Sequence, residues 1–203
     1  MKNDIGLGFK IRLGRGFKTD AERAAVAIRA DMRLPPYERL SAVLLAKRLG
    51  LHIIYPHDIP GFDEILLTEL ETQGSDRWSA AYIPTPAPHP DLIINNSKHS
   101  LERQEANIFH EIAHQICSHE PDGIEIINGL PIREFSKDKE DQANFLGQAL
   151  HISKEAVFRV LKNGLTREAI CEMFCASRQL VDLRINITGA TKIMARSQAR
   201  WGR

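Results

Sequence analysis

The sequence predicts a small α+β domain with a mixed or antiparallel sheet, followed by a short helical segment of helix-turn-helix proportions. Two patterns support this fold class. Upstream of residue 153, apolar runs of helical period alternate with short runs rich in strand-forming residues. Downstream of it, the apolar runs have a helical period and open on Ser or Thr. We therefore predict two units, residues 1–152 and residues 153–203.

The first unit begins with two predicted helices. Thr19 and Glu22 have capping-box spacing at the start of the first helix, and Pro35 and Pro36 end it. The second helix ends at Gly50 and leads into a short strand. The sequences of this helix and of the predicted strands are, in order, ERLSAVLLAKRLG, LHIIY, EILLTEL at 64–70, RWSAAYI at 77–83 and DLIINN at 91–96. The segment DLIINN suits either a packed interior strand or an edge strand that pairs with an extended peptide.

A long helix, LERQEANIFHEIAHQICSH, follows the strands. Ser97 or Ser100 is its expected N-cap, because a serine side chain can accept a hydrogen bond from the first free backbone N–H groups. The next segment, DGIEIINGLP, is predicted to be irregular. A further helix is then expected over residues 136–150, and it completes the first unit.

The second unit is predicted to contain three helices, SKEAVFRVLKN, TREAICEMFCA and SRQLVDLRINI, and a basic C-terminal tail. The last of these helices combines Arg178 and Arg184 with Asp182, whereas a DNA recognition helix usually carries net positive charge. Nucleic acid is therefore not expected to be a direct, sequence-specific ligand of this unit.

The composition is that of a globular chain, with 43% hydrophobic and 26% charged residues, which excludes a fibre or a disordered chain. No stretch approaches the ~20 apolar residues of a membrane span, and the N-terminal residues lack the apolar core of a signal peptide. Three cysteines are too few for a disulfide scaffold and fit a reducing compartment. We expect a cytoplasmic protein without membrane contact, and no pattern predicts its oligomeric state.

Both chain ends are basic. Five basic residues stand against one acidic residue within 1–18, and five stand against none within 183–203. Such ends suit contact with nucleic acid or with an acidic partner, but solvated tails are the commoner explanation.

Residues 110–114 form the motif H-E-x-x-H. On a helix, positions i and i+4 share a face, so His110 and His114 can both reach one zinc ion, and Glu111 between them is placed to act as a general base. With 8 His in 203 residues, chance would produce only about 0.02 such motifs. The motif lies on the polar border of a half-buried helix, where ligands meet both a rigid core and solvent.

A zinc site of this kind needs a third protein ligand. The metzincin pattern is excluded, because Cys117 and Glu120 stand where it requires Gly and His. Glu134 and Glu140 remain, and their spacing alone favours neither. A helix beginning near Ser136 would place Glu140 at the edge of the buried face of that helix. The two histidines have the same position on their own helix. Glu140 is therefore preferred, with Glu134 as the alternative.

The segments FHEIAHQICSH and EDQANFLGQALHIS, together with RGFKTDAERAAVAIR and LAKRLGLHI, resemble the ImmA/IrrE-type zinc metallopeptidases of bacteria and their mobile elements. The resemblance covers about residues 15–187. It implies a small zincin-like metallopeptidase domain followed by a helix-turn-helix-like segment. It also implies a gluzincin-like site in which His110, His114 and Glu140 bind one Zn²⁺ per chain and Glu111 is the catalytic base.

Members of this family often cleave a helix-turn-helix repressor and so release stress or mobile-element genes from repression. The resemblance therefore implies a protein substrate, a transcriptional repressor being the expected one. The chain departs from the family pattern at residues 151–153, where it has His151, Ile152 and Ser153 and the family often has Leu-Met-Pro.

The competing hypothesis is a DNA-binding or scaffold regulator with a structural zinc site. Structural zinc is usually held by four ligands, often cysteines, and Glu111 would then have no role. For an enzyme, Asn144 is a candidate to orient a ligand, and Tyr82, His119 and His151 are candidates by residue type to stabilise an oxyanion.

Overall fold

A computed structural model describes residues 10–71, 78–127 and 130–201, and these form a mixed α+β structure, as predicted. The helices are α1 (Phe17–Asp31), α2 (Ala42–Arg48), α3 (Glu64–Glu71), α4 (Leu101–Ile116), α5 (Lys137–His151), α6 (Lys154–Lys162), α7 (Arg167–Phe174), α8 (Arg178–Thr188) and α9 (Ala190–Trp201). The strands are β1 (His52–Ile54), β2 (Ala80–Ile83), β3 (Leu92–Asn95), β4 (Gly123–Ile127) and β5 (Leu130–Glu134).

Strands β1, β3 and β2 form a mixed sheet in that order. Strand β3 pairs in parallel with β1 and antiparallel with β2, where Tyr82 lies opposite Ile93. DLIINN is therefore the interior strand, and its hydrogen bonds are taken by both neighbours. The two edge strands of this sheet are β1 and β2. The sequence placed β2 at 77–83, and residue 77 lies outside the described residues.

Two of the predicted elements are wrong. The predicted strand EILLTEL is helix α3, because the Asp63 side chain accepts hydrogen bonds from the backbone N–H groups of Ile65 and Leu66 and so caps it. DGIEIINGLP is not irregular, since β4 pairs antiparallel with β5 in a second sheet. Residues 128–129, between the two strands, lie outside the described residues, but their sequence Asn-Gly is a strong hairpin signal.

The main core lies between helices α1, α2, α4 and α5 and the β1-β3-β2 sheet. A separate core fills the C-terminal helices, with Phe174 at its centre and Val181 and Ile185 from α8 around it. Helices α6, α7 and α8 agree with the predicted ones, but the stretch predicted as a basic tail contains helix α9. The three cysteines are unpaired. Within the described residues, no helix is long and apolar enough to cross a membrane.

Two fully buried arginines join the two cores. Arg29 donates to the carbonyl oxygens of Leu150 (2.8 Å) and His151 (3.4 Å), at the end of α5. Arg184 of α8 donates to the carbonyl oxygen of Ile152 (2.8 Å) and to the Glu22 carboxylate of α1 (2.7 Å). The helical segment is therefore bound to the first unit through its backbone at the connection, and the predicted boundary falls inside this hydrogen-bonded region.

Candidate metal centre

Helix α4 carries the H-E-x-x-H motif and has one buried face and one more exposed face. The Ser100 side chain accepts a hydrogen bond from the Arg103 backbone N–H and caps the helix. The face that includes Phe109 and Ile112 is fully buried in the main core. His110 and His114 lie at the border of this face, with side chains 27% and 1% exposed. The buried face therefore fixes the direction in which both imidazoles point.

Helix α5 brings Glu140 to the histidines. The helix begins after Ser136, as the sequence predicted, so Glu140 lies in its first turn. Gly147 lets α5 approach α4 closely, because a Cβ atom there would lie 3.3 Å from the His110 backbone nitrogen and from the Phe109 carbonyl. Any larger residue at 147 would push the two helices apart.

His110, His114 and Glu140 converge on one point. Their Nε2 and carboxylate atoms all lie within 4.8 Å of one another. The two Nε2 atoms are 3.0 Å apart, and the Glu140 oxygens lie 3.3 Å from that of His110 and 3.4 Å from that of His114. Ligands at ~2.0–2.1 Å from a tetrahedral zinc stand about 3.3–3.4 Å apart, so this donor set fits the metal. Glu134, the alternative third ligand, is at the end of β5 and is not part of the cluster.

Burial and the charges in the cluster shift the pKa values of the two histidines in opposite directions. Burial opposes protonation of His110, but the hydrogen bond with Glu140 and the negative charges of Glu111 and Glu140 outweigh it, so the pKa of His110 is raised. Burial, with the positive charge of His110, lowers the pKa of His114 far below its usual value. Asn144 adds a hydrogen bond to His110, which is the contact expected of a residue that orients a ligand.

Glu111 is buried beside the cluster and contacts an arginine that the sequence analysis missed. Arg133 Nη2, from β5, lies 3.3 Å from Glu111 Oε2, and the two side chains are only 14% and 12% exposed. The guanidinium stacks over Tyr82 at 4.3 Å and Phe135 at 5.0 Å from the ring centroids. Burial raises the pKa of Glu111, while His110 and Arg133 oppose the rise. The sequence could have indicated Arg133 through the pair of strands that carries it, but most of this pair was predicted to be irregular.

His114 is fixed from behind by aromatic and polar contacts. Phe135 stacks on its ring at 3.9 Å between centroids. Its Nδ1 lies 3.0 Å from Nδ1 of His119, and His119 Nε2 lies 2.9 Å from Oε1 of Gln142. Gln142 in turn donates to the Leu13 carbonyl oxygen at 2.6 Å. His119, a candidate for oxyanion stabilisation by sequence, therefore lies behind His114 as a support.

The two other candidates for oxyanion stabilisation are engaged elsewhere. The Tyr82 hydroxyl donates to Asp91, and burial together with this bond raises the pKa of Tyr82. His151 Nε2 lies 3.0 Å from the carbonyl oxygen of Phe174 and 3.1 Å from that of Cys175. Of the polar groups described here, Arg133 is the one that contacts Glu111 directly.

The cluster opens into a cleft of about 750 Å³, which we call the central cleft. At the cluster it is lined by His110, Glu111 and Glu140, with Ser79 and Ala80 at strand β2 and Ile132 from β5. A volume of this size suits a peptide segment or a small ligand. Two of the potential ligands, His110 and Glu140, and the base candidate Glu111 thus face a space that a substrate can enter.

Two histidines of an H-E-x-x-H motif and a glutamate, grouped beside a cleft, form an arrangement that is typical of metallopeptidases. Comparison with protein families supports this class, since residues 46–186 match the M78 peptidase family, described as an IrrE N-terminal-like domain. The chain therefore belongs to this family, which the sequence already resembled. Neither the curated proteins nor the solved structures contain a match.

Proposed function

We propose that this protein is a zinc-dependent endopeptidase that hydrolyses a peptide bond in a protein partner. His110, His114 and Glu140 would hold the zinc, and Glu111 would be the catalytic base. The observation that carries the proposal is the convergence of three donor atoms within 4.8 Å at the mouth of the central cleft, with Glu111 beside them. Family membership supports the same reaction class.

Zinc at this position would act as a Lewis acid, polarising the scissile carbonyl and making water acidic enough to attack at neutral pH. Glu111 would take the proton of the attacking water and pass it to the leaving amine, a role that contributes typically ~100- to 10,000-fold. Its burial and raised pKa favour a group that holds and releases a proton. Arg133, 3.3 Å from Glu111, would supply positive charge for the negative charge that develops on the scissile carbonyl oxygen.

His119 and Gln142 would set the orientation of the His114 ring. A metal ligand at Nε2 carries its proton on Nδ1, which can then donate to Nδ1 of His119 at 3.0 Å. His119 in turn can donate from Nε2 to Gln142 at 2.9 Å. In many zinc sites a carboxylate or backbone carbonyl has this supporting role. A neutral histidine here would hold the ring while adding no negative charge.

The proposed substrate is a helix-turn-helix transcriptional repressor, cleaved in the cytoplasm within a stress or mobile-element regulatory system. The support is the family match of residues 46–186 and a cleft large enough for a peptide segment. The rival hypothesis, a DNA-binding or scaffold regulator with structural zinc, leaves the open cleft and the buried Glu111 without a role.

The decisive variant is Glu111→Gln, which keeps the shape and polarity of the side chain but removes the base. The zinc content, measured by elemental mass spectrometry, should stay near that of the wild type. The thermal unfolding temperature should also stay near the wild-type value. Cleavage of a peptide library by the zinc-loaded protein should fall ~100-fold or more. Unchanged cleavage by Glu111→Gln would refute the peptidase assignment.

The third ligand has its own matched pair of variants. Glu140→Ala should lose the zinc, whereas Glu134→Ala should keep one zinc per chain, because only Glu140 lies with the histidines. Metal analysis with the opposite result would assign the third ligand to Glu134 and reject the site described here.

A further inference from the structure

The central cleft continues beyond the metal centre, along the groove between α4 and α5. The two helices run in opposite directions, since Phe109 packs on His151 while His114 meets Glu140. From α5, the lining residues are Glu140, Ala143, Asn144, Gly147, Gln148 and His151. These positions form one helical face, and the 11 steps from residue 140 to residue 151, at a rise of 1.5 Å each, make it about 16 Å long.

Small side chains keep this groove open. Ala106 of α4 and Ala143 and Gly147 of α5 line it where the two helices are in contact. Beyond them, α4 contributes its N-terminal residues Glu102 and Arg103. The groove is therefore a continuous channel from the metal centre to the start of α4 and the end of α5.

Helix α8 of the C-terminal segment forms the far wall. Gln179, Leu180 and Leu183 line the central cleft there. The Leu183 side chain is 40% exposed, while Leu180 is packed against the C-terminal core. Arg184, the next residue along α8, is buried and bound to Glu22 and to the Ile152 carbonyl. The wall is thus fixed in place before any ligand binds, which lowers the entropy cost of binding.

His151 adds an unpaired acceptor at this end of the cleft. Carbonyl oxygens only accept hydrogen bonds, so His151 Nε2, which contacts those of Phe174 and Cys175, carries the proton. Its Nδ1 is therefore an acceptor. This atom has no hydrogen-bond partner among the described residues, and the residue is only 1% exposed. A buried acceptor without a partner is unfavourable, and a hydrogen bond from a ligand N–H would remove this cost.

We propose that this part of the central cleft binds the substrate polypeptide on one side of the scissile bond, with a large apolar side chain against Leu180 and Leu183 and an N–H donor at His151. The proposal rests on the function proposed above. An extended peptide advances about 3.3 Å per residue, so ~16 Å corresponds to four or five residues. The C-terminal helices would then select substrates at a distance from the bond that is cut.

The test uses the zinc-loaded full chain and a peptide library made by digesting a bacterial proteome, with cleavage sites identified by mass spectrometry. Leu183→Glu is compared with Ile187→Glu. Both residues lie on α8 and are 40% and 41% exposed, but only Leu183 is among the residues that line the cleft. Wild type should prefer large apolar residues four or five positions from the cut, on one side.

Leu183→Glu should lose this preference, with cleavage of such peptides falling ~10-fold or more, because burying one apolar side chain contributes about 1.5–3 kcal/mol. Ile187→Glu should retain the wild-type profile. Zinc content and thermal unfolding show that each variant is folded. If Leu183→Glu fails to fold, Leu183→Ala should reduce the same preference by a smaller factor.

An unchanged cleavage profile in the folded Leu183 variant, or an equal change in Ile187→Glu, would overturn the proposal and leave the peptidase function standing. Cleavage that does not depend on Glu111 would instead refute the proposed function, and this assignment with it. The two failures are therefore distinguishable in one experiment.

Discussion

The starts of the C-terminal helices are fixed by local contacts, whereas the support of the metal centre comes from distant parts of the chain. Each of the helices α6, α7 and α8 begins with a side chain that accepts from a backbone N–H three residues on: Ser153 from Ala156, Thr166 from Ala169 and Ser177 from Leu180. These contacts are local, so each helix start is specified by four consecutive residues.

The metal centre is built from contacts between distant parts of the chain. Arg133 reaches Glu111 across 22 residues, His119 reaches Gln142 across 23, and Gln142 reaches Leu13 across 129. None of these pairs has a spacing that marks it in the sequence. Local contacts therefore determine which helices form, while the support of the site depends on the complete fold.

The largest effect is expected at the junction between the two regions. Arg184→Ala should lower the free energy of unfolding by about 3–5 kcal/mol, because the buried Glu22 contact and the bond to the Ile152 carbonyl are lost. Arg178→Ala is the matched control on α8. Arg178 contacts two acidic side chains but is 55% exposed, so its loss should have a much smaller effect on stability. Urea unfolding measures both, and equal losses would remove the distinction between junction and surface.

The next effect is the dependence of stability on pH through His151. Burial lowers the pKa of His151 to about 4 from an ordinary value of 6.5. Between these values the unfolded chain binds more protons than the folded one, so stability falls as the pH falls through this window, by roughly 3 kcal/mol at most. Unfolding of wild type and His151→Gln at pH 7.5 and pH 4.5 isolates the contribution. The wild type should lose more stability, and parallel losses would contradict the neutral, buried state of His151.

A smaller effect is expected in the support of the metal centre. His119→Ala removes the contact behind His114 and should weaken zinc binding about 10- to 100-fold, measured by competition with a chelator. His89→Ala, at an exposed histidine, controls for adventitious zinc. If His119→Ala binds zinc as tightly as His89→Ala does, the long-range support is dispensable and the contrast between the two regions is lost.

The smallest effect belongs to a local cap. Thr166→Ala should lower the free energy of unfolding by about 1 kcal/mol, because the Ala169 backbone N–H loses its acceptor at 3.2 Å. Zinc affinity should not change, since the cap has no contact with the cluster. A loss of zinc in this variant would show that the C-terminal helices and the metal centre are more tightly coupled than the contacts indicate.

The same division explains which features the sequence predicted. The register of α5 and the position of Glu140 on it follow from helical periodicity, as do the capped helices α6, α7 and α8. Helix α3 was taken for a strand because a short apolar run suits either structure, and the cap at Asp63 decided it. Arg133 could not be predicted, since its role depends on a hairpin folding back over α4.

The two buried arginines at the junction bind the backbone of the connection between the two units. Arg29 and Arg184 contact carbonyl oxygens of residues 150, 151 and 152, and every amino acid supplies the same carbonyl. The two arginines therefore bind to the path of the backbone and not to the side chains along it. These arginine contacts alone therefore place no demand on the side chains at 151 and 152. Those side chains are restricted by their own contacts, because His151 Nε2 donates to the carbonyl oxygens of Phe174 and Cys175 and Ile152 is buried in the C-terminal core.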